Sequence, residues 1–514
     1  MSVEEINNAL LQQIMEQLEA IASLHRIIDA LNETIRNLQQ TNADLSTTID
    51  ELNKTIDGLT LTIKELKEKL GLNSSNSSKP PSSDGYKKPS PKGLRKPSGK
   101  KAGGQDGHSG TTLNYMAEPD ETVLHEPSAC QNCPCHDTCM NNACVGETRQ
   151  VIDAVVTVKV TDHQLVVIES CPLSGEQQKG EFPDDVKAPV QYGENLQALT
   201  VALNTVGAVS VNRTHEILSG VFGIPISTGT ISNMVGRCAK GLTEIVETIR
   251  QKLTESALDH FDETGTRVDG KTMWVHSASN LEYTHMTINA KRGKVGMDAG
   301  GVLPYFKGTA VHDCWAAYWK FIQILLHALC CAHLLRELIC AEENHADQKW
   351  ATEFKTLLLE MKKARDDAVA SNIWKLSEED IQEFERRYDK IIKHGYAENP
   401  LPKEPDETEK KKRGRKKKGK TLALIERLDK YKASVCLFIH DFSVPFDNNL
   451  AERDIRVIKV KTKVSGCFRS LLGAQSYLKI MSYVSTAKKH GLSAYEAIRR
   501  AISGNPESIL SRGT

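Results

Sequence analysis

The chain has 514 residues, 39% of them hydrophobic, with 66 basic and 66 acidic side chains and 13 cysteines. That length supports several domains and a sizeable core, while the zero net charge conceals segregated basic segments able to meet nucleic acid. No run is apolar enough to span a bilayer and no secretory leader is recognisable, which excludes a membrane partner and predicts a cytoplasmic protein with mostly reduced thiols.

Residues 1–71 are predicted as a coiled-coil dimerisation helix. The a positions are Ile14, Ile21, Ile28, Ile35, Asn42, Ile49, Ile56, Ile63 and Leu70, and from Leu24 to Leu66 every d position is leucine. Isoleucine at a with leucine at d favours two parallel strands, and one polar a residue, Asn42, sets register and oligomer state. So narrow a seam suits a partner helix, hence a homodimer or higher oligomer.

Residues 72–115 read as a disordered basic linker. It opens with Asn73-Ser-Ser-Asn-Ser-Ser-Lys-Pro-Pro-Ser-Ser-Asp84 and then carries Lys87, Lys88, Lys92, Arg95, Lys96, Lys100 and Lys101 against Asp106 alone. Such a composition buries too little apolar surface to fold by itself and suits non-specific phosphate contact.

Residues 116–190 are expected to form a small zinc-finger-like domain. Cys130 and Cys133 have the turn spacing that brings two thiolates to one tetrahedral Zn²⁺, and Cys171 adds a third. Cys135 is our choice for the fourth ligand, with His136, Cys139 and Cys144 as alternatives. The alternating run Val151 to Ile168 reads as a strand or hairpin.

Residues 191–254 have helical spacing. One helix over Arg213 to Gly223, an Ile-Pro break and a second helix capped at Ser227 or Thr228 make a segment of helix-turn-helix size, read either as plain helical packing, which the spacing favours, or as a DNA-binding region.

Residues 255–345 and 436–506 are read as one α/β core. Ser256 to Val268, Thr272 to Ala278 and Tyr283 to Asn289 are three successive strands, with Asp269-Gly270 and Asn280 as turns. A helix near Val295, a strand Thr309 to Val311, a helix bearing Trp315, Tyr318 and Trp319, a strand Ile324 to Leu329 and a helix from Cys331 follow. That order is the layout of a ribonuclease H-like mixed sheet. Residues 346–435 are a helical insertion carrying a basic loop, Lys410 to Lys420, with nine positive charges and no acid. After it, Asn448 or Asn449 caps a helix that carries Glu452 in its first turns, then Arg453, Arg456, Lys459, Lys461 and Lys463.

In that layout Asp262 and Asp313 lie on neighbouring strands and the late helix delivers Glu452 over them. Three acids around one cleft call for cations. Oxygen ligands suit two Mg²⁺ or Mn²⁺ ions, which activate an attacking hydroxyl and stabilise the leaving oxygen at phosphorus. Asp259, Asp447 and Asp454 are alternatives that periodicity leaves open. Lys459, two turns past Glu452, is placed to meet a DNA phosphate.

At these residues the chain resembles the transposases of the IS66 family of bacterial insertion sequences. The resemblance runs from the end of the coil to about residue 506. It rests on the Asn73–Asp84 run, Gly103-Gly-Gln-Asp-Gly-His108, Asp262-Glu-Thr-Gly265, Val311-His-Asp313, Ala332-His333 with Leu335-Arg-Glu-Leu338, Pro445-Phe-Asp-Asn-Asn-Leu-Ala-Glu-Arg453 and Ser465-Gly-Cys-Phe-Arg-Ser470. It implies a DDE transposase with Asp262, Asp313 and Glu452 as its triad, a zinc-binding domain and a helical insert. It implies double-stranded DNA as partner, both the element's terminal inverted repeats and the target, with 3′-hydroxyl ends joined to the target. It also brings in accessory proteins of the same element and a nucleoid-associated location. Arg453, Arg456, Lys459, Lys463, Arg469, His333 and Arg336 are then the expected DNA contacts. Ser174 departs from the pattern where a second knuckle cysteine is expected, and Cys331 and Leu334 replace an Asn and a His. The competing expectations are a ribonuclease H-like nuclease or resolvase without strand transfer, and a non-catalytic coiled-coil DNA-binding regulator.

Overall fold

The computed structural model describes residues 3–70, 115–153, 157–169, 171–174, 176–400 and 419–510. The expected linker over 72–114 and the basic run over 410–418 lie outside the described residues. The architecture is helical with one mixed sheet.

The first element, α1 (Val3–Leu70), is a single helix of 68 residues. Its heptad side chains from Ile14 to Leu66 are exposed, for example Leu38 by 63% and Ile56 by 57%. No helix among the described residues is long and apolar enough to cross a membrane.

The cysteine-rich segment holds little regular structure: α2 (His136–Asn141), and β1 (Val167–Ile168) paired antiparallel with β2 (Gln178–Lys179). The strand expected from Val151 thus shrinks, among the described residues, to its last two positions. Val151 and Val160 are 92% and 84% exposed, so the alternating face finds no apolar surface to cover it.

Four helices follow: α3 (Glu194–Asn204), α4 (Val211–Phe222), α5 (Thr228–Gly241) and α6 (Thr243–Thr254). Gly223 ends α4 in the left-handed region (φ 62°), and the Ser227 hydroxyl accepts the Thr230 N–H to start α5. Leu218, Ile231, Met234, Ile245 and Ile249 turn inward to one core that includes Phe261 and Phe306 of the α/β region.

The sheet has the order β5-β4-β3-β6-β7. Its strands are β3 (Leu258–Val268), β4 (Lys271–Ser279), β5 (Thr284–Asn289), β6 (Thr309–His312) and β7 (Leu326–Leu329), with α7 (Lys294–Ala299) between β5 and β6. β3, β4 and β5 are antiparallel, while β6 and β7 run parallel to β3. The first hairpin turns at Asp269 and Gly270, both at positive φ (47° and 70°), the geometry that matches strand twist in a two-residue loop. The expected helix around Trp315 is only a 3₁₀ turn, Tyr318–Lys320. The arrangement is compatible with a ribonuclease H-like core.

After β7 come α8 (Cys331–Asn344) and the helices α9 (Trp350–Ala370), α10 (Glu378–Glu398), α11 (Lys420–Lys430) and α12 (Lys432–His440). Tyr388 of α10 meets Phe354 of α9 edge-on, with ring centroids 4.7 Å apart, and its hydroxyl donates to Leu428 O. The chain then returns to the sheet with α13 (Asn449–Ser465), α14 (Leu471–Lys489) and α15 (Ala494–Ile502). Ile455 and Ile458 of α13 are buried with Val268, Val275, Met286 and Tyr477. Burying each such side chain contributes about 1.5–3 kcal/mol, which fixes α13 on this face. Edge strand β5 is closed by α14, whose Ser482 and Thr486 hydroxyls accept the Met286 and Thr284 N–H groups.

Candidate active site

Asp262, Asp313 and Glu452 lie near one end of the sheet, where the charges of Asp313 and Glu452 act on Asp262, although their carboxylate oxygens do not form a group within 4.8 Å of one another. β3 and β6 run parallel, and their last pair, His260 opposite Val311, stands two residues before Asp262 and Asp313, which lie near enough for the Asp313 charge to act on Asp262. Asp313 sits just past the end of β6, where its Oδ1 accepts the Trp315 N–H at 3.0 Å. Asp262 Oδ1 accepts the Glu263 N–H at 2.8 Å. Burial pushes the Asp262 carboxyl well above the usual carboxylate range, and the charges of Glu263, Asp313 and Glu452 push it further. Such crowding of carboxylates is relieved by a cation, and the donor set is the hard-oxygen one that Mg²⁺ or Mn²⁺ prefers.

Glu452 reaches the site because of Asn448. The expectation that Asn448 or Asn449 caps α13 through its side chain is corrected: Asn448 stands at the N-cap position but makes no such bond. Its carboxamide is buried and turned onto β3, where Oδ1 accepts from His260 Nδ1 and Nδ2 donates to Phe261 O, both at 2.8 Å. Its backbone N–H donates to Cys330 Sγ at 3.2 Å, and the Cys331 N–H donates to Phe446 O at 3.0 Å. The loop before α13 is therefore stitched to β3 and to the β7–α8 junction. The acid follows one turn later, with its N–H bonded to Asn448 O. His333, in the first turn of α8, places Nδ1 3.6 Å from Glu452 Oε1.

The other acids near the triad are engaged elsewhere. Asp454 pairs with Lys489 and accepts the Thr284 hydroxyl, each at 2.8 Å. Asp259 is fully buried and accepts from Ser256 and Asn280, and burial raises its pKa to about 7. Asp447 accepts the Asn449 N–H. Glu263, which the sequence reading passed over, is buried beside Asp262. It accepts from the Tyr318 hydroxyl (2.6 Å) and from the Arg292 guanidinium (2.7 Å), which in turn lies over the Trp315 and Trp274 rings. No local pattern reveals that pairing, since Arg292 and Tyr318 stand in separate loops.

The basic residues of α13 divide. Arg453, Arg456 and Lys463 are exposed, as is Arg469 beyond the helix. Lys459 donates to Gly265 O at 3.0 Å; burial lowers its pKa and the Asp262 charge opposes that. Gly466, at φ 78°, turns the chain so that Phe468 bridges to Val268 at the end of β3, which sets Arg469 beside the sheet. Arg336 lies on α8, one turn after His333.

In the cysteine-rich segment, Cys130 and Cys133 share one turn, with the Cys133 N–H bonded to Cys130 O at 3.1 Å. His136 is engaged by Glu126 and Asp137, which raise its pKa. Cys135, Cys139 and Cys144 are exposed. At Cys171 the backbone N–H groups of Ser174 and Leu173 and the Ser174 hydroxyl turn toward the sulfur and lower its pKa. The expected zinc ligands Cys130, Cys133, Cys171 and Cys135 are not brought together: no three of them have ligand atoms within 4.8 Å of one another.

No curated protein matches the chain. A model for a family of unknown function matches residues 3–114. The model described as the transposase IS66 family matches residues 189–476, the span that runs from α3 through the sheet and the insertion into α14. The span holds Asp262, Asp313, Asn448 and Glu452 and exceeds half of the chain, so the protein belongs to the transposase IS66 family.

Proposed function

We propose that the chain is a DDE transposase that binds the terminal inverted repeats of its element, cleaves DNA and joins the 3′-hydroxyl ends to target DNA. Asp262, Asp313 and Glu452 are its catalytic acids. The observation that supports this reading is the charge that Asp313 and Glu452 each exert on buried Asp262, with the β3–β6 register and the Asn448 bonds to β3 holding the three segments near one another. The three carboxylates would hold two divalent ions; when bound, these supply activation of the attacking hydroxyl and stabilisation of the leaving oxygen. Asp262 and Asp313 hold their orientation through the Glu263 and Trp315 N–H groups, and Lys459 supplies positive charge beside Asp262. Exposed Arg453, Arg456, Lys463 and Arg469 provide phosphate contacts around the acids, with His333 beside Glu452, and Arg336 is a further DNA contact. The α4–α5 pair supplies a helix-turn-helix surface: the exposed side chains of α5 include Ser232, Asn233, Arg237 and Lys240, without an acid. Cys130, Cys133 and Cys171 would hold a structural Zn²⁺ with Cys135 as fourth ligand, and α1 pairs with a second copy through its heptad face.

The test is strand cleavage and end joining on DNA carrying the element's ends. Asp262→Ala, Asp313→Ala and Glu452→Ala should each abolish both reactions while leaving DNA binding in place. Joining retained by any one of them removes that residue from the triad, and cleavage without joining of pre-cut ends by the wild type would make the protein a nuclease instead.

A further inference from the structure

Among all the described residues, one group of three or more such side chains could hold a metal: Cys330, His333 and Glu452, with ligand atoms within 4.8 Å of one another. Its members differ in character. Cys330 is buried, its sulfur accepts the Asn448 N–H, and burial pushes its pKa up to about 12, so it serves the scaffold as a neutral thiol. His333 differs: Nδ1 lies 3.6 Å from Glu452 Oε1, longer than a hydrogen bond. Octahedral metal–ligand bonds of about 2.1–2.2 Å leave adjacent donors roughly 3.0–3.1 Å apart, so Nδ1 and Oε1 stand within about half an ångström of the spacing of two donors on one ion. The backbone that carries the ring is held by main-chain hydrogen bonds. The His333 N–H donates to Cys330 O at 3.1 Å, and the Cys330 N–H donates to His312 O at 3.0 Å, next to Asp313.

We propose that His333 is a fourth protein ligand of the acid site, binding through Nδ1 the divalent ion that Glu452 holds. This rests on the triad reading above and adds a nitrogen donor to an otherwise all-oxygen set. One imidazole shifts preference from Mg²⁺ toward Mn²⁺ and its later neighbours, which bind nitrogen more readily.

The experiment titrates the full chain, free of DNA, with Mn²⁺ and reads pulsed electron paramagnetic resonance. A directly bound imidazole gives a nitrogen hyperfine coupling, which should change when the protein is made with isotope-labelled histidine. It should vanish in His333→Ala and His333→Asn, with Mn²⁺ affinity lowered about tenfold or more. Mn²⁺ binding that depends on Asp262 and Glu452 but shows no nitrogen coupling overturns the His333 assignment and leaves the triad standing. So does coupling that persists in both variants. Binding that survives Asp262→Asn combined with Glu452→Gln, or no binding at all, overturns the triad and His333 together. The labelling step shows in wild-type protein that the nitrogen donor is a histidine, and the two variants, of which His333→Asn keeps a polar side chain of similar reach, assign it to His333.

Discussion

Asn448 joins His260 across 188 residues of sequence, its Oδ1 accepting the Nδ1 proton of a buried, neutral imidazole while its Nδ2 reaches Phe261 O. Both partners lie on β3, immediately before Asp262, so one carboxamide sets the distance between the strand that bears the first acid and the helix that bears the last. Asn448→Ala leaves two buried groups without partners, at roughly 1–3 kcal/mol each. We expect a fall in melting temperature and loss of strand cleavage with DNA binding retained. Asn449→Ala, at an exposed position, should change stability by less than about 0.5 kcal/mol. Equal effects at the two positions would show that the clamp has no special role.

Asp262 is unfavourably ionised in the metal-free fold, because burial and three neighbouring carboxylates raise its pKa above the ordinary 3.8. A raised folded-state pKa gives stability that is full below 3.8 and is lost as pH rises through the higher folded value. In chelator at neutral pH, Asp262→Asn should therefore melt a few degrees above wild type, about 1 kcal/mol or more, and the gap should close in acid. Mg²⁺ or Mn²⁺ should raise the melting temperature of wild type and not of the variant. A variant less stable than wild type in chelator would contradict this account.

Acid should unfold the core through its histidines. Burial lowers His285 and His327 from 6.5 to about 4, and lowers His260, His276 and His312 as well. A depressed folded-state pKa means stability present above 6.5 and lost as pH falls toward 4, by up to about 1.4 kcal/mol per pH unit for each group. Chemical denaturation at several pH values between these limits should show that slope, and His285→Gln should make it shallower. An unchanged slope would remove His285 from the explanation.

The heptad face of α1 is exposed along a single chain, which is what a helix awaiting an identical neighbour presents. Sedimentation should find a dimer or higher oligomer. Asn42→Ile should change the oligomer state or broaden it, since the buried amide no longer penalises other registers; identical sedimentation would refute that role.

Zinc is checked by metal analysis of the purified protein. Bound zinc should be lost on Cys130→Ser or Cys171→Ser and retained on Cys144→Ser. A folded sample free of zinc would end the assignment. Retention in Cys135→Ser would move the fourth ligand to His136 or another thiol.

Much of the architecture was legible because it is periodic. Alternation gave the five strands of the sheet to within about two residues, the 3.6-residue period gave α4, α5, α8 and the insertion helices α9 and α10 but overstated the turn at Tyr318, and the heptad gave the helix α1. Periodicity failed at Val151 to Ile168, where alternation without a covering surface left only Val167 and Ile168 in a strand.

The candidate site was legible only as identities. Local chemistry marked Asp262 and Asp313 at strand positions and Glu452 at a helix start. It also allowed either asparagine to cap α13, because a cap is decided by the nearest backbone. What sequence determined by itself is which residues can bear charge and which faces are apolar, since both follow from side-chain chemistry and short-range spacing. What only the tertiary structure decided is which groups meet: Asn448 with His260, His333 with Glu452, and Glu263 with Arg292 and Tyr318. Those pairings depend on strand register and on where a helix returns after a long insertion, and both are set by packing the whole core.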